Sequence, residues 1–369
     1  YPRTWRSLRP YRQPIVQLYL VLLMDTIKPF HNCLLLSGGG TRFALYNGMY
    51  AALRALGKAP DLLIASCGGA FAALVINAFA TDKERKAYLQ SEEFYEFIKS
   101  LSLTPYSKLH RLGILALQKR YNKRRAPLVE DVYERYLVAM REELSYLLPS
   151  LAQVSFSATL PTIVIGAKML FAPHECGKPR GERKLYQEVL MTDPMTAQRI
   201  NLSAIKHTEA NYTHSAITAD ILIRTDMPML TAARISISDM FYVAPVAYKG
   251  VYYAGGAIDL VPMELASALS TNVIAEEKQA YSPTEEALVR AVLGFSGNER
   301  LASVASYPAQ WIDTRGATTA LKGYYSEKYI NWKRLSIGIR FPKDYPTYRQ
   351  QIDQQWDYGY QTILNTFRP

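Results

Sequence analysis

The sequence LLLSGGGTRFALYNGMYAALRALGKAPDLLIASCGGAFAAL, residues 34–74, combines a glycine triplet, a segment with helical spacing and a small-residue turn centred on a cysteine. The apolar segments 33–36 and 61–66 predict buried strands, and residues 41–56 between them predict a helix. A second helix is predicted at 71–79. Strand, helix and strand in this order form a βαβ unit, which requires a parallel sheet.

The turn after the second predicted strand, IASCGGA, is similar to a G-x-S-x-G nucleophile elbow, with Ala65 in place of the first glycine and Cys67 in place of the serine. A nucleophile on such a strained turn needs small neighbours. A thiol at a helix N-terminus is also expected to have a lowered pKa. We therefore predict that Cys67 is a nucleophile. The alternatives are a buried cysteine that only fills space, and Ser66 as nucleophile, which would place Ile64 where a small residue is needed.

The glycine triplet also raises the question of nucleotide binding, because backbone N–H groups before a helix bind negative charge. A dinucleotide fingerprint needs a third glycine at position 43, where the chain has Phe43, and an acidic residue at the end of the second strand. A Walker loop needs Gly-Lys-Ser/Thr, which is absent here. Both nucleotide interpretations are excluded.

Three segments, in order, resemble the patatin-like phospholipase family. GGGTR at 38–42 resembles its oxyanion loop, DLLIASCGGA at 61–70 its nucleophile elbow, and YYAGGAIDLVP at 252–262 its Asp-Gly-Gly motif with the proline that follows. The resemblance covers residues 32–270. It implies an α/β fold with three layers, α/β/α, and a mainly parallel central sheet. It also implies a Ser/Asp dyad, without histidine, that cleaves acyl esters.

The resemblance assigns site residues. Cys67 is the expected nucleophile, and Ala254 stands at the position of the family's catalytic aspartate. The expected oxyanion hole consists of Gly38, Gly39, Gly40 and Thr41, and the expected supporting residues are Arg42, Gly69, Gly255 and Gly256. No cofactor and no metal are expected.

The chain departs from the family pattern in three places. Phe43 replaces a glycine of the oxyanion loop, Cys67 makes any acyl-enzyme a thioester, and the methyl group of Ala254 cannot accept a proton. Two explanations for the alanine are open: an introduced substitution that disables the enzyme, or a natural loss, which leaves either a pseudoenzyme or an enzyme in which the thiolate needs little help. The candidate substitute bases are Asp239, Asp259 and His174.

We predict one domain with additions. A basic, aromatic segment at 1–31 precedes the acyl hydrolase core at 32–270, as a helix docked on the core or as a membrane-surface contact. A helical insertion at 81–150 is expected to wall the acyl channel. Residues 271–369 form a helical extension that ends in a helix at 345–367. Further strands are predicted at 154–160, 163–170, 185–191, 235–238 and 251–253.

The composition limits which partners and which cellular compartment can be expected. With 369 residues, 49% of them apolar and 20% charged, the chain can bury a large core. The net charge of +11 favours anionic lipid, acyl carrier protein or nucleic acid as partner, and no nucleic-acid motif is present. Three cysteines without a CxxC pair fit a reducing compartment. We expect a cytoplasmic protein with peripheral membrane contact. Because the chain begins at Tyr1 rather than Met, we also expect that a preceding segment has been removed.

The predicted function is hydrolysis of lipid acyl esters through a Cys67 acyl-enzyme, in a chain inactivated at Ala254. One alternative is an acyltransferase or thioesterase that uses CoA or carrier-protein thioesters. The other is a lipid-binding protein that has kept the acyl pocket without the activity.

Overall fold

The computed structural model describes residues 28–38, 40–107, 125–157, 159–205, 215–331 and 336–368. The predictions made for residues 1–27 and for Gly39 lie outside the described residues. None of the described helices is long and apolar enough to cross a membrane.

The described residues form strands and helices that alternate along most of the chain. The strands are β1 (Phe30–Ser37), β2 (Leu62–Ser66), β3 (Ser102–Leu103), β4 (Val138–Ala139), β5 (Thr162–Met169), β6 (Tyr186–Met191), β7 (Leu222–Arg224), β8 (Val246–Tyr248), β9 (Val251–Ala254), β10 (Ser270–Glu277), β11 (Gln310–Asp313), β12 (Glu327–Asn331) and β13 (Ser336–Arg340). The helices are α1 (Phe43–Ala55), α2 (Gly68–Ala78), α3 (Asp82–Leu89), α4 (Glu92–Ser100), α5 (Pro149–Ala152), α6 (Pro194–Ala197), α7 (Met229–Ser236), α8 (Met263–Leu269), α9 (Pro283–Leu293), α10 (Gly297–Val304), α11 (Ala317–Ala320) and α12 (Tyr345–Phe367).

The central sheet has the strand order β11-β10-β1-β2-β5-β6-β7, and the β8–β9 hairpin joins it at β5. The neighbours from β11 to β5 are parallel, whereas β6 and β9 run antiparallel to β5. Successive residues of β1 point to opposite faces: Leu34 and Leu36 pack with α1 and α2, and Cys33 and Leu35 pack with α8 and α9. A sheet covered on both faces explains the continuous apolar run in β1. The predicted three-layer α/β/α fold is confirmed.

Helix α12 packs lengthwise against α1, and two glycines permit the contact. A Cβ atom added at Gly48 would lie 2.1 Å from the carbonyl oxygen of Trp356, and one added at Gly359 would lie 2.0 Å from that of Leu45. The two backbones are therefore in direct contact. Because α1 begins directly after the glycine loop (residues 38–42), this packing fixes the position at which the loop ends.

Two predicted strands are wrong. Residues 154–157, 159 and 160 contain no strand. Residues 235–238, whose Ile-Ser-Ile-Ser alternation suggested a strand, instead end helix α7 and enter the turn after it. This helix begins after Pro228 and buries Ala232 and Ala233 in the same core as α2. Tertiary packing therefore outweighed the local alternation.

The predicted boundaries of the additions also need correction. In the described part of 81–150, α-helix is confined to α3, α4 and the start of α5, and the remainder contains a 3₁₀ helix at Pro105–Ser107, the short strands β3 and β4, and irregular segments. The C-terminal region is not a purely helical extension, because β10 pairs with β1 and β11 pairs with β10 in the central sheet. A boundary at residue 270 would divide the core itself.

Candidate active site

Cys67 occupies a sharp turn between β2 and α2. Its backbone has φ +51° and ψ −127°, a conformation that costs a non-glycine residue about 1–3 kcal/mol. The next two residues must be glycine because other backbone lies against them. A Cβ atom at Gly68 would lie 2.3 Å from the carbonyl oxygen of Gly40, and one at Gly69 would lie 1.7 Å from that of Leu36. The geometry is that of a nucleophile elbow.

Two serines fix the elbow. The Cys67 N–H donates to Ser236 Oγ at 2.9 Å, and the Ser236 hydroxyl donates to the carbonyl oxygen of Ile165 at 2.6 Å. The Ser66 hydroxyl donates to the carbonyl oxygen of Leu260 at 2.8 Å and so ties the elbow to the segment after the glycine pair 255–256. Ser66 thus has a structural partner, whereas Cys67 lines a cavity.

Of the expected oxyanion residues in the glycine loop (38–42) that the structure describes, only some line the cavity. The Gly38 N–H donates to the carbonyl oxygen of Ser66 at 2.9 Å, so it is not available to an oxyanion, contrary to expectation. Gly40 and Thr41 line the cavity beside Cys67. Gly38 follows the last paired residue of β1, so its N–H bond to Ser66 closes the end of the β1–β2 pairing.

The cavity beside Cys67 has a volume of about 900 Å³, within the range of roughly 300–1,000 Å³ that is usual for small-molecule sites. Its apolar wall consists of Leu101, Val138, Met140, Ile237, Val243, Ile339 and Phe341, together with the rings of Tyr242 and Tyr325. Its charged residues are Arg42, Asp239, Glu285 and Lys322. Among the described residues, the insertion contributes Leu101, Val138 and Met140 to the wall, rather than its tyrosines.

The Cys67 thiol is buried, with 7% of the residue exposed. Burial raises the pKa of the thiol well above its usual value, and the carboxylate of Asp239 raises it further by its charge and by a hydrogen bond. The Gly68 N–H and the Lys278 ammonium lower the pKa by smaller amounts. The lowered pKa expected for a helix N-terminus is therefore wrong, because desolvation outweighs that local effect. The thiol is protonated at neutral pH.

Only one of the candidate bases shares the cavity with Cys67. Asp239 follows α7 and accepts a hydrogen bond at Oδ1 from the Ala257 N–H at 2.9 Å. Asp259 is buried in an ion pair with Arg300 at 3.1 Å, and His174 is exposed in a 3₁₀ turn at 173–175. Neither of these two lines the cavity.

Ala254 is completely buried at the end of β9, opposite Ala167 in β5. Its methyl group belongs to the apolar core on the face of the sheet that packs with α8 and α9. The two glycines after it contact the elbow and the Asp239 turn: a Cβ atom at Gly256 would lie 2.9 Å from Cys67 N, and one at Gly255 would lie 2.3 Å from Asp239 Oδ1.

A buried polar network beside the glycine loop was missed by sequence reasoning. Tyr46 Oη lies 2.6 Å from Glu276 Oε2 and 3.0 Å from the carbonyl oxygen of Ser37, and Lys278 pairs with the same carboxylate. The Lys278 and Arg42 charges lower the pKa of Glu276 despite its burial. The charged triplet 276–278 after an apolar strand was the signal that could have located this network. The charge of Arg42 thus acts on both Glu276 and Lys278.

A second missed residue is Arg234, whose side chain is buried in α7. Its Nε donates to the carbonyl oxygen of Arg141 at 2.7 Å, and its Nη1 donates to Ser238 Oγ at 2.5 Å. This guanidinium links the insertion to the turn that carries Asp239. An arginine in the otherwise apolar and small helix 229–236 was the available signal.

Among the residues that the structure describes, no group of three or more His, Cys, Asp or Glu side chains could hold a metal ion.

Comparison with known proteins identifies a family and similar solved structures. No curated protein matches the sequence. The crystal structure of VipD from Legionella pneumophila is similar at 12% identity and a TM-score of 0.35, over 92% of this chain and 66% of that chain. The sequence profile of the patatin-like phospholipase family matches residues 34–267, more than half of the chain. The chain therefore belongs to the patatin-like phospholipase family, whose members are lipid acyl hydrolases.

Proposed function

We propose that this chain hydrolyses lipid acyl esters through a thioester between the acyl group and Cys67. The observation that carries the proposal is the position of Cys67: it lies on a strained elbow at the wall of a largely apolar cavity. Strain of this kind persists where the surrounding structure enforces it, and it is common at active sites. The cavity offers apolar surface to an acyl chain, and in the proposed complex the carbonyl end of that chain lies beside the thiol.

In the proposed reaction, Cys67 Sγ attacks the acyl carbonyl carbon while a base takes the thiol proton. The backbone N–H groups of Gly40 and Thr41 stabilise the oxyanion, an effect often worth about 3–4 kcal/mol per donor. The alcohol then leaves, and water hydrolyses the thioester. Because the thiol is neutral at pH 7, the attack depends on removal of its proton.

The charges at the cavity support an ester with a polar head group. Arg42 and Lys322 line the cavity together with the acyl-binding wall, and Glu285 balances part of their charge. We propose that the acyl chain packs against the apolar wall while the head group lies toward these charged residues. The head-group selectivity can be measured with a series of lysolipids that differ only in that group.

The cysteine itself favours a second candidate, acyl transfer. A thioester acyl-enzyme exchanges with another thiol at little net free-energy cost, so CoA or an acyl carrier protein is a plausible donor or acceptor. The net charge of +11 would suit an acidic carrier protein. The third candidate is lipid binding without turnover. Incubation of the acylated protein with water alone or with added CoA separates hydrolysis from transfer by the product formed.

The experiment is intact-protein mass spectrometry after incubation with p-nitrophenyl butyrate. We expect the wild-type chain and the double variant Cys33→Ala/Cys176→Ala to gain one butyryl group, because Cys33 is buried and neither residue lies on the elbow. We expect Cys67→Ala to gain none. Equal labelling of Cys67→Ala would overturn the nucleophile assignment. Lipid binding without any adduct would leave the non-catalytic candidate.

We also propose peripheral contact with anionic membranes, supported by the same positive charge. Co-sedimentation with vesicles tests it. Binding to phosphatidylserine vesicles that weakens at high salt, without binding to phosphatidylcholine vesicles, is the expected result. Equal binding to both would contradict an electrostatic contact.

A further inference from the structure

The loss of the carboxylate at position 254 leaves the Cys67 reaction without the base of the family. Resting on the function proposed above, we infer that Asp239 is the general base and that it reaches Cys67 from a different element, the turn between α7 and β8. The family position and the acting position are thus separate in this chain.

The geometry places Asp239 at the thiol. Both residues line the same cavity, and the glycine pair 255–256 contacts both of them, because a Cβ atom at Gly255 would meet Asp239 Oδ1 and one at Gly256 would meet Cys67 N. The Ala257 N–H donates to Asp239 Oδ1 at 2.9 Å and so holds one carboxylate oxygen. The Asp239 N–H donates to the carbonyl oxygen of Ile237 at 2.8 Å, which fixes the turn.

The motif at 252–262, which carries the catalytic aspartate in the family, contributes a glycine at position 255 that leaves space for Asp239. A Cβ atom at Gly255 would lie 2.3 Å from Asp239 Oδ1 and 2.5 Å from Asp239 N, so only glycine allows this approach. Ala254, one residue earlier, is completely buried among apolar side chains. An aspartate there would place a second, desolvated carboxylate next to the segment that contacts Asp239. Alanine avoids that repulsion.

The proton balance is complete with these two residues and water. As Sγ bonds to the acyl carbon, the thiol proton passes to Asp239, and the same proton passes to the alkoxide when the ester bond breaks. In deacylation, the water oxygen attacks the thioester while the water gives a proton to Asp239. That proton then returns to the departing thiolate, which restores the starting state.

Other titratable groups also face the thiol. Tyr46, Tyr242 and Tyr281 interact with it from α1, from the turn that carries Asp239 and from the segment before α9, and burial raises the pKa of each. They are neutral over the range of pH 6 to 9. Lys278 interacts with the thiol through its charge, which Glu276 balances, and two further cations, Arg42 and Lys322, line the cavity. Of the two carboxylates that line the cavity with Cys67, Asp239 and Glu285, Asp239 is the one whose charge acts on the thiol pKa.

The test compares two reactions of the same thiol in Asp239→Asn, which retains an oxygen to accept the Ala257 N–H. Acylation by p-nitrophenyl butyrate at pH 7 should fall by about 10²-fold or more, the usual contribution of a general base. Alkylation by iodoacetamide, which depends on the thiolate, should be unchanged or faster, because a negative neighbour has been removed. In the variant, the acylation rate should rise tenfold per pH unit, whereas the wild-type rate should change little between pH 7 and 8.

Two further variants complete the design. Asp239→Glu keeps the carboxylate and should retain more activity than Asp239→Asn, and Ala254→Asp should not accelerate acylation. An Ala254→Asp variant that gains 10²-fold, or an Asp239→Asn variant with the wild-type rate and pH profile, would overturn the inference. A parallel fall in acylation and alkylation would assign Asp239 a structural role only. Failure of the proposed function would differ, because then no variant would acquire an acyl group on Cys67.

Discussion

The close contact between the elbow and strand β1 makes Gly69→Ala the most informative single substitution. The added Cβ atom would lie 1.7 Å from the carbonyl oxygen of Leu36 and 2.4 Å from its carbonyl carbon. An ordinary contact begins at 3.4 Å, so the first turn of α2 would have to move by about 1.7 Å. Both contacted atoms are backbone of a central strand, and no side-chain rotamer can relieve the clash.

Two opposing effects set the magnitude. Alanine is favoured over glycine within a helix by about 0.5–1 kcal/mol. Overpacking of a well-packed core costs about 1–3 kcal/mol, and more where the backbone must shift. Because the clash is with backbone, we take the cost at the top of that range and expect Gly69→Ala to lose about 2 kcal/mol of unfolding free energy. Because a displacement of about 1 Å can cost 10²-fold in rate, acylation of Cys67 should fall by at least that factor.

The control is the same substitution at Gly316, which has φ −74° and ψ −10° just before α11. A Cβ atom there would meet its nearest neighbour, Tyr358 Oη, at an ordinary 3.7 Å. Gly316→Ala should therefore gain about 0.4–1 kcal/mol and acylate at the wild-type rate. Urea unfolding curves and intact mass measure the two quantities. A Gly69→Ala variant as stable as Gly316→Ala would refute the packing described at the elbow.

Three further predictions concern single side chains. Ser66→Ala should lose about 1 kcal/mol with its hydrogen bond and still form the acyl adduct on Cys67; loss of the adduct in a folded variant would contradict the structural role of Ser66. Burial raises the pKa of Glu188 well above its usual value, so the native state binds the extra proton and wild-type stability should fall as the pH rises above about 4.3. Glu188→Gln should remove that fall, and unfolding curves from pH 4 to 9 that stay parallel would contradict the burial argument. Burial and the Asp131 charge raise the pKa of Cys176 to about 11, so peptide mapping should show its alkylation rate rising up to about pH 11; a plateau below pH 9 would be inconsistent.

Contiguous segments of this chain were predictable because their signals are local. The strand, helix and strand around residues 33–66 follow from apolar periodicity, and the terminal helix at 345–367 has the predicted bounds. The elbow follows from the small residues on either side of Cys67. The small residues beside Cys67 permit its strained φ of +51°. These features depend on neighbours along the chain, so the order of residues is sufficient.

The predictions that failed concern segments whose structure depends on packing against residues that are distant in the sequence. The segment 235–238 alternates like a strand, yet it ends a helix because Ala232 and Ala233 pack in the core with α2. Residues 270–277 complete the central sheet beside β1, which no local pattern in the C-terminal region indicated. Gly38 was predicted to be an oxyanion donor, but its N–H donates to the carbonyl oxygen of Ser66, a residue on the neighbouring strand.

By itself, the sequence determined that this chain has a βαβ unit with a cysteine on a tight turn, and it predicted that Ala254 stands where the family has its carboxylate. Only the tertiary structure decided the protonation of the thiol and the carboxylate beside it. The helix N-terminus would lower the pKa of Cys67, but burial and Asp239 outweigh that effect. Burial and charge act through space, and residues 67 and 239 become neighbours only when the sheet assembles.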